Sequence, residues 1–113
     1  MQAALRSNIQ QLEHDLKIID GGYEKNTDAG RIDITAEDAE GNIVVIELKA
    51  GTAQPGAITQ LLAYMGTIAD HPETSVRGIL VAEDFHKRVL QAAKALPNVR
   101  LMRYSFNFRF EPL

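Results

Sequence analysis

Two short runs hold the ionisable side chains best placed to do chemistry, Gly30-Arg31-Ile32-Asp33-Ile34 and Ile43-Val44-Val45-Ile46-Glu47-Leu48-Lys49. Both have strand composition, and strand side chains alternate between two faces. Ile32 and Ile34 are expected on one face, with Arg31, Asp33 and Thr35 on the other. In the second run Val44, Ile46 and Leu48 oppose Val45, Glu47 and Lys49. The polar segment between the runs ends in Gly41-Asn42, a turn signal. A hairpin centred near Glu40 sets Asp33 opposite Glu47 and Arg31 opposite Lys49. Opposed side chains lie ~5 Å apart at Cβ, where two carboxylates repel. A divalent cation between them removes the repulsion, and Mg²⁺ takes hard oxygen ligands. Lys49 would then reach a water or phosphate beside the metal. Such a site can activate water and neutralise phosphate charge, as phosphodiester hydrolysis requires.

A plainer reading makes Glu47 and Lys49 a solvated face and Arg31–Asp33 a surface pair. Surface ion pairs contribute only ~0–1 kcal/mol, too little to select this arrangement for stability. The run from Ile43 to Leu48 is also nearly continuous in apolar residues, as in a strand buried on both faces. A glutamate and a lysine entering such a strand are costly unless used. His14, His71 and His86 show no metal-ligand spacing, and no Gly-rich phosphate loop, serine triad or zinc pattern is present.

Arg31-Ile32-Asp33 followed by Glu47-Leu48-Lys49 resembles the split D…ExK signature of the PD-(D/E)xK nuclease superfamily. The strings Gly30-Arg31-Ile32-Asp33 and Val45-Ile46-Glu47-Leu48-Lys49 are most similar to the NucS/EndoMS-type endonuclease catalytic domain, and more broadly to RecB-like nucleases. The likeness runs from about Leu12 to the end of the chain. It implies a restriction-endonuclease-like three-layer α/β/α core with a central mixed β-sheet, and a Mg²⁺- or Mn²⁺-dependent DNA endonuclease in repair or restriction. By the same resemblance Asp33 and Glu47 are catalytic metal ligands, with the backbone carbonyl of Leu48 as a third. Lys49 orients or activates the water. Glu13, on a helix ahead of the hairpin, supplies a further acid. Gln60 and Tyr64 match a Q-x-x-x-Y element that positions the site or the nucleic acid, and Arg31 is a phosphate contact. The sequence departs from the pattern in two places. Ala50 stands where a basic residue is common, and Ile32-Asp33 replaces Pro-Asp. The reading expects no counterpart of the separate N-terminal domain of NucS-type enzymes, so mismatch specificity is not carried over.

The elements that must hold these residues follow from periodicity. Leu5, Ile9, Leu12, Leu16 and Ile19 recur at helical spacing and predict a helix from Gln2 to about Ile19, stopped by Gly21-Gly22. Tyr23 to Ala29 has a weak strand pattern. After the hairpin, Pro55 suits the first turn of a helix running to about Ala69. Its apolar face is Ile58, Leu61, Leu62, Met65 and Ile68, with Gln60 and Tyr64 on a neighbouring stripe off that face. Asp70-His71-Pro72 ends it. Val76 to Val81 predicts a central strand. Asp84 is the expected N-cap of a helix through Leu96, Val99 to Tyr104 a further strand, and Phe106, Phe108 and Phe110 a last one with one wet face. Helix, hairpin, helix, strand, helix, strand describes an α/β sandwich around a mixed sheet.

A chain of 113 residues is expected to form one domain, residues 1–113. It has no cysteine, which excludes disulfides and thiolate metal sites. No apolar run approaches the ~20 residues of a membrane helix, and polar residues interrupt any signal-peptide core. A cytoplasmic protein is expected. The formal charge of −3 predicts weak, metal-dependent binding of nucleic acid. A homodimer through the phenylalanine strand, or a DNA-binding partner protein, would supply what the domain lacks. A non-catalytic binding module on the same fold is the rival reading.

Overall fold

The computed structural model describes residues 1–70 and 73–113. Its elements in chain order are α1 (Gln2–Ser7), α2 (Ile9–Leu12), β1 (Lys17–Ile18), β2 (Lys25–Thr27), β3 (Gly30–Ile32), β4 (Ile34–Glu37), β5 (Ile43–Leu48), β6 (Thr52–Ala53), α3 (Pro55–Ile68), β7 (Val76–Ala82), β8 (Asp84–Phe85), α4 (Lys87–Lys94) and β9 (Val99–Arg103). Five strands form a mixed sheet in the order β1-β4-β5-β7-β9. β4 and β5 are the antiparallel hairpin, β1 pairs antiparallel with β4, and β5, β7 and β9 run parallel. The parallel steps are bridged by α3 and α4, as parallel pairing requires.

Alternation along the central strands divides the core in two. Val45, Leu80 and Ala82 pack with Ile58, Leu61, Tyr64 and Met65 of α3 and Val89 of α4. Val44, Ile46, Ile79 and Val81 pack with Ile9, Leu12 and Leu16 on the other side. The result is the three-layer α/β/α sandwich expected. Gly78 lets α3 sit close on β7, since a Cβ there would lie 2.6 Å from Met65 Sδ and 3.0 Å from Leu61 Cδ1. No helix among the described residues is long and apolar enough to cross a membrane.

Three expectations about elements are corrected. The first helix does not continue to Ile19. Asn8 interrupts it, its side chain donating to the Ala4 carbonyl at 2.8 Å, the local competition that makes asparagine a poor interior residue. Asp15 then takes a left-handed φ of 66° and the chain enters β1. Ile19 is consequently exposed. The N-cap of α4 is His86, whose Nδ1 accepts from the Arg88 amide at 3.0 Å. Asp84 instead lies in β8, which pairs parallel with β6 in a two-residue ladder. The last expected strand, through Phe106, Phe108 and Phe110, has no ladder partner among the described residues and its phenylalanines are exposed. Alternation reports which faces a strand would have, and pairing needs an edge beside it. The stop expected at His71-Pro72 lies outside the described residues.

Candidate active site

The β4–β5 register is the one the turn implies, with Ile34 opposite Ile46, Thr35 opposite Val45 and Ala36 opposite Val44. One more step sets Asp33 opposite Glu47, and there the regular ladder stops. Asp33 belongs to neither β3 nor β4. Its amide donates to Glu47 Oε1 at 3.2 Å, and its own Oδ2 accepts from the Leu48 amide at 2.9 Å. Each carboxylate therefore holds the opposite strand through one oxygen. Among the described residues neither Asp33 Oδ1 nor Glu47 Oε2 has a hydrogen-bond partner. The kink at Asp33 also reverses the alternation. Ile32 packs into the α3-side core and Ile34 into the opposite one, so the expectation that they share a face is corrected.

Burial sets the electrostatics. Glu47 is 2% exposed. Its carboxyl is pushed up to about 7, first by burial and then by the charge of Asp33, with Lys49 opposing. Burial raises Asp33 as well, against the hydrogen bond from the Leu48 amide. Lys49 Nζ donates to Gln60 Oε1 at 2.5 Å, which ties the ammonium to α3. One turn on, Tyr64 is buried in the α3-side core rather than set off it as expected. Its phenol is raised by burial and by Glu47 and Asp33. The ring lies under Gly30, where a Cβ would come within 3.0 Å of the hydroxyl and where φ is +127°. Only glycine meets both conditions without strain.

Asp33, Glu47, Leu48, Lys49, Gln60 and Tyr64 thus come together at the carboxyl end of β5. Two residues do not join them. Glu13 binds Arg77 through both carboxylate oxygens and Arg100 Nη1 at 2.9 Å, and Arg77 Nε donates to Asp38 Oδ2 at 2.9 Å. Arg77 pairs in register with Val44, three residues before Glu47, which at 3.3 Å per residue is ~10 Å along the strand. Glu13 is held in that network because its helix ends at Leu12, about two turns earlier than expected. Arg31 is not opposite Lys49. It pairs with Asn26 in the β2–β3 ladder, is exposed, and donates to Asn26 Oδ1 at 3.3 Å. The kink at Asp33 has already turned the chain away from β5.

Sequence reasoning missed Glu24, which lies just ahead of β2 and whose charge raises both Asp33 and Glu47. It also missed Arg6, whose Nη2 donates to the Asp33 carbonyl at 2.8 Å. Neither belongs to a motif or an apolar period, and no local signal marks them.

The family model described as the endonuclease NucS C-terminal domain matches residues 1–105. The chain is 44% identical over 61 residues to endonuclease NucS 1 of Halobacterium salinarum, covering 52% of this chain and 25% of that protein. It is 36% identical over 84 residues to endonuclease NucS of Sulfolobus acidocaldarius, covering 70% and 33%. It superposes on the crystal structure of a repair endonuclease from Pyrococcus abyssi with a TM-score of 0.80 and 27% identity, over 90% of this chain and 44% of that one. On an EndoMS–double-stranded DNA complex the values are 0.76 and 28%, over 95% and 44%. The chain therefore spans a quarter to a third of the curated relatives just named. With the model matched across nearly its whole length, this chain belongs to the family of endonuclease NucS C-terminal domains.

Proposed function

We propose that this chain is the catalytic domain of a metal-dependent DNA endonuclease acting in repair. The observation that carries the reading is the pair of carboxylates, Glu47 buried and Asp33 partly buried, each using one oxygen on the opposite strand and, among the described residues, keeping one free. Hard oxygens in that number suit Mg²⁺ or Mn²⁺, with the Leu48 carbonyl as a further donor. A bound divalent ion would supply water activation and charge neutralisation on the phosphate. The rest falls to side chains. Lys49, steadied by Gln60, orients the attacking water and offsets charge developing on the phosphate. Tyr64 fixes the floor beneath Gly30. DNA as substrate is supported by the likeness to the EndoMS complex, and repair by the Pyrococcus abyssi neighbour. Cutting both strands of a duplex needs two sites, so we propose a homodimer, with a DNA-binding partner protein as the alternative source of grip. A monomer mass by light scattering would count against the dimer.

The test begins with Mn²⁺ titration by calorimetry, wild type beside Glu47→Gln. Saturable binding that vanishes in the variant supports the site. Asp33→Ala, Glu47→Ala and Lys49→Ala are each expected to lower cleavage of labelled DNA by about a hundredfold or more. Cleavage that survives all three overturns the assignment. The charge of −3 and the small Ala50 beside Lys49 favour the second reading, a non-catalytic module on the same fold. No Mn²⁺ binding, with or without a duplex present, would select it.

A further inference from the structure

Arg6 on α1 and Asp20 just after β1 form a two-pronged ion pair, Nη1 to Oδ1 at 2.8 Å and Nη2 to Oδ2 at 2.9 Å. Both side chains are largely shielded, Asp20 to 2% exposure. A buried pair pays a desolvation penalty that offsets much of its attraction, so its remaining bonds are informative. Arg6 Nη2 also donates to the main-chain carbonyl of Asp33 at 2.8 Å. Asp20 Oδ2 accepts from the Thr35 amide at 3.0 Å, and Oδ1 from the Gly22 amide at 3.0 Å. Arg6 Nε is held by Gln2 Oε1 at 3.2 Å.

The geometry places this pair where a strand would otherwise be. β1 reaches Ile18 opposite Ala36, and the Ile19 amide adds a last bond to the Thr35 carbonyl. Past that point the ion pair takes over the edge of β4. It grips the chain on both sides of Ile34, at the carbonyl of Asp33 and the amide of Thr35. These bonds are charge-assisted and hence strong and directional.

We infer that the Arg6–Asp20 pair is a positioning device for Asp33, fixing the peptide that follows it and so aiming its carboxylate at the Leu48 amide and the proposed metal. The second half of that statement rests on the nuclease reading above; the first half does not. Asp33 lies at a break between strands, so no continuous ladder holds its backbone. Rotation of the 33–34 peptide would swing the carboxylate, and metal sites tolerate only about 0.5 Å of displacement. Arg6 and Asp20 touch neither metal nor substrate in this scheme and act through Asp33.

Two readouts separate positioning from simple stabilisation. The first is amide hydrogen exchange in the metal-free protein. The Leu48 amide bonds to the Asp33 carboxylate, while the next amide, Lys49, bonds to the Val81 carbonyl at 2.8 Å. The second is Mn²⁺ affinity by calorimetry. Arg6→Met and Asp20→Asn are expected to speed exchange at Leu48 about tenfold relative to Lys49, and to weaken Mn²⁺ about tenfold, as loss of such supporting contacts does elsewhere. Arg6→Lys keeps the charge and a donor, and is expected to recover part of both. It carries the same comparison should Arg6→Met not fold. An unchanged Leu48-to-Lys49 ratio overturns the inference. If wild type binds no Mn²⁺ but the ratio shifts, the nuclease reading fails and the positioning stands. If Glu47→Gln abolishes Mn²⁺ binding while the Arg6 and Asp20 variants leave ratio and affinity unchanged, the positioning fails and the nuclease reading stands.

Discussion

Glu47 carries opposite demands, because the burial that shapes the site also penalises its charge. A glutamate free in the unfolded chain titrates near 4.5, and here burial and the charge of Asp33 push it up to about 7. Folding without metal therefore takes up a proton between those values. The stability linked to this group is fully present below about pH 4.5 and is lost as pH rises through 7. The loss is on the order of 3 kcal/mol. Glu47→Gln, neutral at every pH, is expected to melt several degrees above metal-free wild type at pH 8 and close to it at pH 4.5, as read by circular dichroism. The same proton would oppose the proposed metal, so wild-type Mn²⁺ affinity should fall about tenfold per unit as pH drops below 7. An affinity flat from pH 8 to 5.5 would contradict the burial account. Asp33, Glu47 and Lys49 were legible in the sequence because hairpin register is arithmetic once the turn is found. The kink at Asp33 was not, since it depends on Arg6 and Asp20, far off in sequence.

At the level of elements, the network around Arg77 joins the end of α2, the β4–β5 turn, β7 and β9 through Glu13, Asp38 and Arg100. Glu13 is held below the usual carboxylate range by its hydrogen bond to Arg77, and Asp38 falls to about 2 despite burial. Both contribute stability present above the ordinary carboxylate range and lost as pH falls through the folded values. Glu13→Gln should lower stability by about 1–3 kcal/mol at pH 7 and leave Mn²⁺ affinity unchanged. Abolished metal binding would return Glu13 to the site and contradict its placement. The helices over residues 55–68 and 87–94 and the strands over 76–82 and 99–103 were legible because each has its own period and breakers. The first helix misled because Leu5, Ile9, Leu12 and Leu16 all reach one core while the backbone between them breaks at Asn8. Burial constrains side chains and leaves the path between them open.

Across the whole molecule, charge sets how this domain would meet the proposed nucleic-acid substrate. Asp33, Glu47 and the neighbouring Glu24 concentrate negative charge at the site where the proposed reaction would bring a phosphate, on a chain of net charge −3. Phosphate repulsion there is strong without a cation and largely removed by one, and part of the chain's positive charge is held in internal ion pairs. Arg6 is bound to Asp20, and Arg77 and Arg100 to Glu13. The domain alone should therefore hold a DNA duplex weakly, with few phosphate contacts and a shallow dependence on salt. Binding should tighten by about tenfold or more when Ca²⁺, an oxygen-seeking ion of the same charge, is added. Fluorescence anisotropy of a labelled duplex, with and without Ca²⁺, reads this directly. Glu47→Gln should blunt the Ca²⁺ effect, because it weakens the cation's hold at the site. Tight binding without any divalent ion, with a steep salt slope, would place the contacts on a surface away from Asp33 and Glu47. The relatives named above are about three to four times as long as the part this chain matches. Weak intrinsic affinity would fit the proposal that the hold on DNA comes from a second copy or a DNA-binding partner.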